Sequence, residues 1–469
     1  MDHPLQPLSA KPPPQPQPAV IIAGAGICGL LLAQYLRKSG VPFRIFERDT
    51  DFTTRGLGWG LTLHWSLPAL RALLPDDLVR RLPEAYVDRA AVATGLTSAF
   101  PFYDLSTGER LSAAPFAPEA QRIRVSRNVF RRILATGIDI EWGKAVSGFE
   151  AAEGDGDGKE SVTVRLEDGS WCVGRLLVAC DGSQSRIRRA LFPDTPAFQI
   201  PVRVIGVRID CTPAQIEPVR KLDPFFLQGT SSKDNTYVYF SVLDAPGNHG
   251  ENVADPASGK YSCQIVASWP VRSGFLGEPL PIPFPATGAE GAKLMKRFAE
   301  TWAEPLRSLV HSLPEDDAGA SGTDMKSLEL HDWPPPHGLR TTASVALVGD
   351  ALHPMSMYRG EGANHAIVDV LELAELVIGP QIVQDSSNSS NSSGHGGSDS
   401  DSDSDRHKRL RAALDQFEDV VAARTRPAVL ASRQACIDAH SWERISDQSP
   451  LLSRRVMKID FDEKDLYLP

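Results

Sequence analysis

The chain has 469 residues, 42% of them hydrophobic and 23% charged, a globular composition long enough for two or three structural units. Its 49 basic and 59 acidic residues give a formal net charge of −10, which argues against nucleic acid as a main partner, because phosphate binding needs a basic surface. The six cysteines are scattered with no C-x-x-C pair, so neither a zinc site nor a disulfide framework is indicated, and a reducing cytoplasmic setting is expected.

Residues 1–18 hold seven prolines and almost no large apolar side chain, so they are expected to form an extended tail that buries nothing. Val20-Ile21-Ile22-Ala23 is a short continuous apolar run, the pattern of a buried parallel strand. A helix is expected over 27–38, ending at Gly40, and Phe43-Arg44-Ile45-Phe46 is the next strand, which completes a β-α-β unit. The longest apolar stretch, 19–33, contains three glycines and meets Gln34, Arg37 and Lys38, so no transmembrane segment is expected. Further strands are expected at 161–166, 175–180, 202–209, 236–242 and 261–269, and the region from about 200 to 280 reads as a mostly antiparallel sheet. A buried strand at 344–348 precedes a helix from about 362 to 377. Residues 384–405 are dominated by Ser, Asn, Gly and Asp and read as a solvated insertion; their five aspartates, with no Lys or Arg, supply half of the net charge. The last helix is expected over 406–424, stopped before Pro427.

Three motifs carry chemistry. Gly24-x-Gly26-x-x-Gly29 lies between the first strand and the first helix, where glycines permit a tight turn, close backbone approach to a pyrophosphate and close helix–strand packing. Glu47 ends the second strand, 23 residues after Gly24, where an acidic side chain can hydrogen-bond a ribose. Together these indicate an ADP-containing dinucleotide without choosing between FAD and NAD. Asp181-Gly182-Ser183-Gln184-Ser185-Arg186-Ile187-Arg188 follows another apolar strand. Gly349-Asp350-Ala351-Leu352-His353-Pro354 follows a third, and Arg359-Gly360-Glu361-Gly362-Ala363-Asn364 then opens a helix. In this order and spacing the chain resembles the single-component flavoprotein monooxygenases of the para-hydroxybenzoate hydroxylase type, and within them fungal biosynthetic members, over about residues 20–440.

The resemblance implies an α/β architecture: a Rossmann-type FAD-binding fold with an inserted, mostly antiparallel β-sheet substrate domain and C-terminal helices. The FAD-binding domain would occupy 19–195 and 336–383, the substrate domain 196–335, and a helical segment 406–469. FAD is the implied cofactor, NADPH or NADH the reductant, and O2 and a small aromatic or polyunsaturated secondary metabolite the partners. Hydroxylation or epoxidation would proceed through a flavin C4a-hydroperoxide, with no metal involved. Gly24, Gly26 and Gly29 would hold the pyrophosphate and Glu47 the ribose, while Gly60 would pass near the flavin. Arg127, in Arg124-Val125-Ser126-Arg127, would contact the cofactor, Asp350 the ribityl chain, and Gly362-Ala363 the flavin ring. Asp181-Gly182 would serve FAD packing and nicotinamide access. A helix N-terminus at Gly360–Ala363 suits the negative charge of reduced flavin, and Arg359 could add to it.

Arg208 and Tyr239 are the catalytic candidates, since relatives that hydroxylate phenols use an arginine or tyrosine to favour the phenolate. Strand alternation puts Tyr237 and Tyr239 on one face and Val238 and Phe240 on the other, and core packing competes with catalysis for the tyrosines. Trp59, His64 and Trp65 could line a pocket or belong to the core. His353 reads as structural, Arg188 as a loop-fixing or cofactor residue, and Cys28 as a buried small residue. Met357-Tyr358 stands where many relatives have a proline. A flavin-dependent reductase, dehydrogenase or halogenase of the same fold remains an alternative, though no W-x-W-x-I-P signature occurs. So does a flavin-binding regulatory protein without turnover.

Overall fold

The computed structural model describes residues 18–54, 58–151, 161–248, 259–315, 325–342, 344–384 and 403–468. The expected tail 1–18 and insertion 384–405 lie, apart from their inner ends, outside the described residues. In chain order, β1 (Val20–Ala23), α1 (Ile27–Lys38) and β2 (Phe43–Glu47) form the opening β-α-β unit, followed by β3 (Gly60–Leu63). Next come β4 (Phe102–Asp104), β5 (Arg110–Ser112), β6 (Ile123–Ser126), α2 (Arg127–Leu134) and β7 (Ile140–Trp142). An antiparallel meander of β8 (Val146–Ala151), β9 (Val162–Leu166) and β10 (Trp171–Gly174) leads to β11 (Leu176–Ala179) and α3 (Arg186–Leu191). The long strands β12 (Phe198–Cys211), β13 (Phe226–Thr230), β14 (Tyr237–Asp244), β15 (Tyr261–Pro270) and β16 (Met325–Asp332) follow. The chain closes with β17 (Val345–Leu347), α4 (Gly362–Leu373), which runs on as a wider π-helical stretch over Ala374–Val383, and α5 (Asp403–Asp438). No described helix is long and apolar enough to cross a membrane.

Two sheets organise these elements. The first is wholly parallel, in the order β17-β11-β1-β2-β7. Its central strands β1 and β11 are buried along their whole length, as a parallel sheet covered on both faces requires. The second has the order β16-β12-β15-β14-β13-β4-β5 and is antiparallel except where β13 meets β4. Along β14 the side chains alternate as expected. Val238 and Phe240 join a core with Met295 and Phe298, while Tyr237 and Tyr239 join the opposite cluster with Tyr358.

Two features differ from the sequence expectation. The boundary at residue 195 does not separate the sheets, because β4 and β5 leave the first part of the chain and pair onto the edge of the second sheet. Three-residue strands carry too little periodicity to announce such a crossing. The last helix does not stop before Pro427 but continues to Asp438. A mid-helix proline costs about 3 kcal/mol. Burial of Leu414, Phe417, Val421, Ala428, Val429 and Ala435 on both sides of it outweighs that cost at roughly 1.5–3 kcal/mol per large side chain. A buried pair between Arg433 and Asp332, with Nε 2.8 Å from Oδ2, fastens this helix to β16.

Candidate active site

The first glycine motif does its work through backbone proximity. Gly24 has φ +102°, and a Cβ there would lie 2.5 Å from the Cys180 carbonyl oxygen. A Cβ on Gly29 would lie 2.0 Å from the Gly24 carbonyl oxygen, so the helix can seat against the turn only without a side chain. At Gly26, the N-cap of α1, nothing lies within 4 Å of a Cβ, and no side chain caps the helix. Unclaimed backbone N–H groups therefore open onto a cavity at a positive helix end. Glu47 is buried and accepts from the amides of Ala25 (2.9 Å) and Asp49 (3.1 Å), and Arg131 lies 3.3 Å from its Oε2. It thus ties the end of β2 to the glycine turn. Cys28, in the first turn of α1, lies against the turn at Gly349: a Cβ on Gly349 would lie 2.5 Å from its Sγ, and burial pushes its thiol up.

Arg188 joins the other two motifs. It donates to the carbonyls of Ser183 (2.6 Å), Asp350 (3.1 Å) and Ala351 (3.0 Å), so its role is to clamp two loops rather than to pair with a carboxylate. Asp181 accepts from the Arg186 amide at 3.0 Å, while its other oxygen is buried with no partner among the described residues. Asp350 opens onto the cavity, and burial raises its carboxyl against the lowering pull of His353, Arg127 and Arg188. Behind it Asp369 accepts from the Gly349 amide (2.8 Å), His353 (2.6 Å) and Arg424 (2.6 Å). His353, with Asp369 equally buried, is therefore part of the frame under the turn. The α4 N-terminus also lacks a side-chain cap, and Gly362 and Ala363 line the cavity there. Asn364 secures this end by accepting from the His64 amide (3.0 Å) and the Ser66 hydroxyl (2.8 Å) and donating to the Thr62 carbonyl (2.9 Å). Arg359 also borders the cavity, but its donors are engaged elsewhere: it pairs with Glu361 at 2.7 Å and donates to the carbonyl of Pro450 and the hydroxyl of Ser453.

A single cavity of about 1080 Å³ runs from Gly26 past Asp350 and Gly362 to the face of the second sheet. That exceeds the roughly 300–1,000 Å³ of a site for one drug-sized ligand. Gly60, Arg127 and Tyr239 line it with Trp59, His64, Trp65 and Met357. Burial, with Arg455, Arg122 and Arg359 nearby, lowers His64 to about 3, so it is neutral at physiological pH. Gly24, Gly29, Glu47 and Asp181 stand behind the lining, and Arg208 is not brought to it. Arg208 lies two residues beyond Gly206, where Trp59 packs, and is part-exposed with its Nε 2.8 Å from Ser262 Oγ.

Sequence reasoning passed over several lining residues: Arg124, Gln228, Leu328 to His331, and Leu451 to Arg455. Only Arg124 left a signal, a charged residue between the buried Ile123 and Val125 of a four-residue strand.

An FAD binding domain family model matches residues 17–238. The chain is 41% identical over 96% of its length to a protein of Arthroderma benhamiae named Probable FAD-dependent monooxygenase, covering 97% of that relative. It is 36% identical over 76% of its length to an FAD-dependent monooxygenase of Emericella nidulans, covering 86% of that one. In fold it resembles 2,6-dihydroxypyridine-3-hydroxylase from Arthrobacter nicotinovorans (TM-score 0.65, 16% identity, 96% of this chain and 99% of that one). It likewise resembles Klebsiella pneumoniae HpxO complexed with FAD and uric acid (TM-score 0.60, 21% identity, 90% and 88%). The two uncapped helix ends and the open space at Gly26 fit the cofactor those names require. This chain belongs to the FAD-dependent monooxygenases.

Proposed function

We propose that this monooxygenase uses NAD(P)H and O2 to hydroxylate or epoxidise a small aromatic or polyunsaturated secondary metabolite. The observation that carries the reading is the continuity of the cavity: cofactor-side groups and the second sheet border one chamber. FAD, when bound and reduced, supplies the oxygen activation. The chain's own residues then have distinct tasks. The α1 N-terminus at Gly26 holds the pyrophosphate, and Arg127 and Asp350 orient the cofactor beside it. The α4 N-terminus at Gly362 and Ala363 offers amide N–H groups to negative charge on the reduced ring. Trp59, Trp65, Phe226 and Met357 present apolar surface that keeps water from the reacting face. Tyr239 stands on the substrate side with its phenol raised by burial, so it stays a neutral hydrogen-bond donor.

The test is direct. Purified protein is expected to be yellow, to oxidise NADPH with matching oxygen uptake once its substrate is supplied, and to place one atom of labelled O2 in the product. NADPH consumption without label in the product would move the chain to the reductase reading, and colourless protein that takes up no added FAD would remove the proposal.

A further inference from the structure

Beside the chamber lies a second, smaller cavity of about 170 Å³. Its floor is apolar: Val87, Ile123 and Phe225 are buried there, and Val92, from the short helix Arg89–Ala93, lines it with them. Its outer edge is apolar as well, for Leu96 is 49% exposed and Phe116 75% exposed. Glu119, the carboxylate in the lining, is engaged by the Tyr86 hydroxyl. An apolar space of about this size can hold a benzene-sized group.

Phe100, Phe116, Arg122 and Arg124 border both cavities and so form the neck between them. Most of the neck is fixed. The Arg122 guanidinium lies 5.2 Å from the centre of the Phe100 ring, and that of Arg124 lies 4.8 Å from the Phe226 ring, held by Thr62 Oγ1 at 2.7 Å and by Ser241 Oγ. Phe100 itself has φ +48°, a left-handed backbone that a bulky residue adopts only under constraint. The constraint is visible: its amide donates to Ser98 Oγ at 3.1 Å, and the Ala99 amide donates to Asp223 Oδ2 at 2.8 Å. Backbone strain of this kind clusters at ligand clamps. Phe116 differs, because it sits at the exposed tip of a stretch anchored before and after it. The Ala114 amide donates to the Ala99 carbonyl at 2.6 Å, and the Ala120 carbonyl accepts from Arg71 at 3.0 Å.

We propose that this annex is a second subsite for the substrate. It takes an apolar extension, a second ring or a short alkyl chain, of a molecule whose reacting end lies in the chamber, and the extension passes the Phe100 and Phe116 rings at the neck. The substrate is then an elongated molecule with a hydrocarbon end rather than a single small ring. The continuity of annex and chamber through an aromatic neck carries this, since a hydrocarbon group gains by leaving water for an apolar wall. The word substrate rests on the monooxygenase reading, yet the subsite is tested by binding alone.

The FAD-loaded enzyme is titrated with phenol, 4-ethylphenol, 4-butylphenol and 4-phenylphenol, following the flavin absorbance. Affinity is expected to rise about fourfold per added methylene, and 4-phenylphenol to bind about tenfold or more tightly than phenol, the scale of burying hydrocarbon in an apolar site. Val92→Phe and Thr97→Phe narrow the annex, and neither residue borders the chamber. In each, the gain from phenol to 4-phenylphenol falls to less than about threefold at unchanged FAD content. A flat series in the parent enzyme, no binding of 4-phenylphenol, or an undiminished gain in both variants overturns the proposal. Should the variants fail to hold FAD, the parent enzyme decides. Anomalous scattering from the bromine of 4-(4-bromophenyl)phenol, in crystals of the FAD-loaded enzyme, must place that atom among Val92, Leu96 and Phe225, and a bromine inside the chamber refutes the subsite. An enzyme that passes these tests but never consumes O2 keeps the annex and loses the proposed function. One that oxygenates its substrate yet gives a flat series keeps the function and loses the annex.

Discussion

The two sheets build their halves of the chamber from different materials. Around the parallel sheet the site is made of backbone: a glycine turn with no room for a Cβ at Gly24 or Gly29, two uncapped helix ends, and loops clamped by Arg188. Around the antiparallel sheet it is made of side chains carried by β6, β13, β14 and the segment after α5, none of them close in sequence. A backbone site tolerates little change and serves one ligand, whereas a side-chain site can be rewritten one residue at a time. The first half suits a fixed cofactor and the second a substrate that varies among relatives.

That contrast can be broken most severely at Gly29. Gly29→Ala forces a Cβ to within 2.0 Å of a carbonyl oxygen, and a loss of about 3 kcal/mol or more in stability is expected, measured by denaturant unfolding. Gly26→Ala, three residues away with open space around it, should unfold like the parent and bind FAD about tenfold more weakly, read by flavin fluorescence. If both variants behaved alike, the distinction between framing and ligand-facing glycines would be wrong.

Acid sharpens the comparison next. His64 borders the chamber after β3, and His440 lies against β15, where Ser268 Oγ is 3.0 Å from its Nε2. Burial lowers them to about 3 and about 4 from the ordinary value of 6.5. The unfolded chain takes up these protons below about pH 6.5 while the folded chain refuses them, so stability falls as pH falls. Each histidine contributes a slope of up to about 1.4 kcal/mol per pH unit between 6.5 and its folded value. Melting curves from pH 7 to 5 should show the decline, and His64→Gln and His440→Gln should each flatten it, which reports the share of each half.

The smallest effect is expected at Arg208. Its side chain is part-exposed outside the chamber, so Arg208→Gln should change kcat/KM by less than about twofold. A tenfold loss there would mean that the substrate extends well beyond the cavity.

The same division decided what could be read in advance. The glycine motifs, Glu47, Asp350 and the α4 N-terminus each sit at a strand or helix end that the local pattern marks, so spacing locates them even though partners distant in sequence hold them. Tyr239 was reachable through strand alternation, because the period of two fixes a face. Arg208 shares the β12 face of Gly206, but alternation says nothing about how far along a 14-residue strand the cavity extends. Arg124 became meaningful only when β3, β6 and β14 came together, a pairing that spans more than 170 residues and leaves no periodic trace. The passage of α5 through Pro427 was hidden for the opposite reason, since a strong local rule gave way to burial on both sides of it.

The link between Arg359 and the segment after α5 has a further consequence. Arg359 holds the carbonyls of Pro450 and Arg454, and Arg455 in return holds those of Tyr358 and Arg359, so the two segments clasp each other reciprocally. Leu451 to Arg455 are made after every other part of the chamber wall. The part of the wall that comes last in the sequence is thus fastened by hydrogen bonds from two arginines to backbone carbonyls and not by strand pairing.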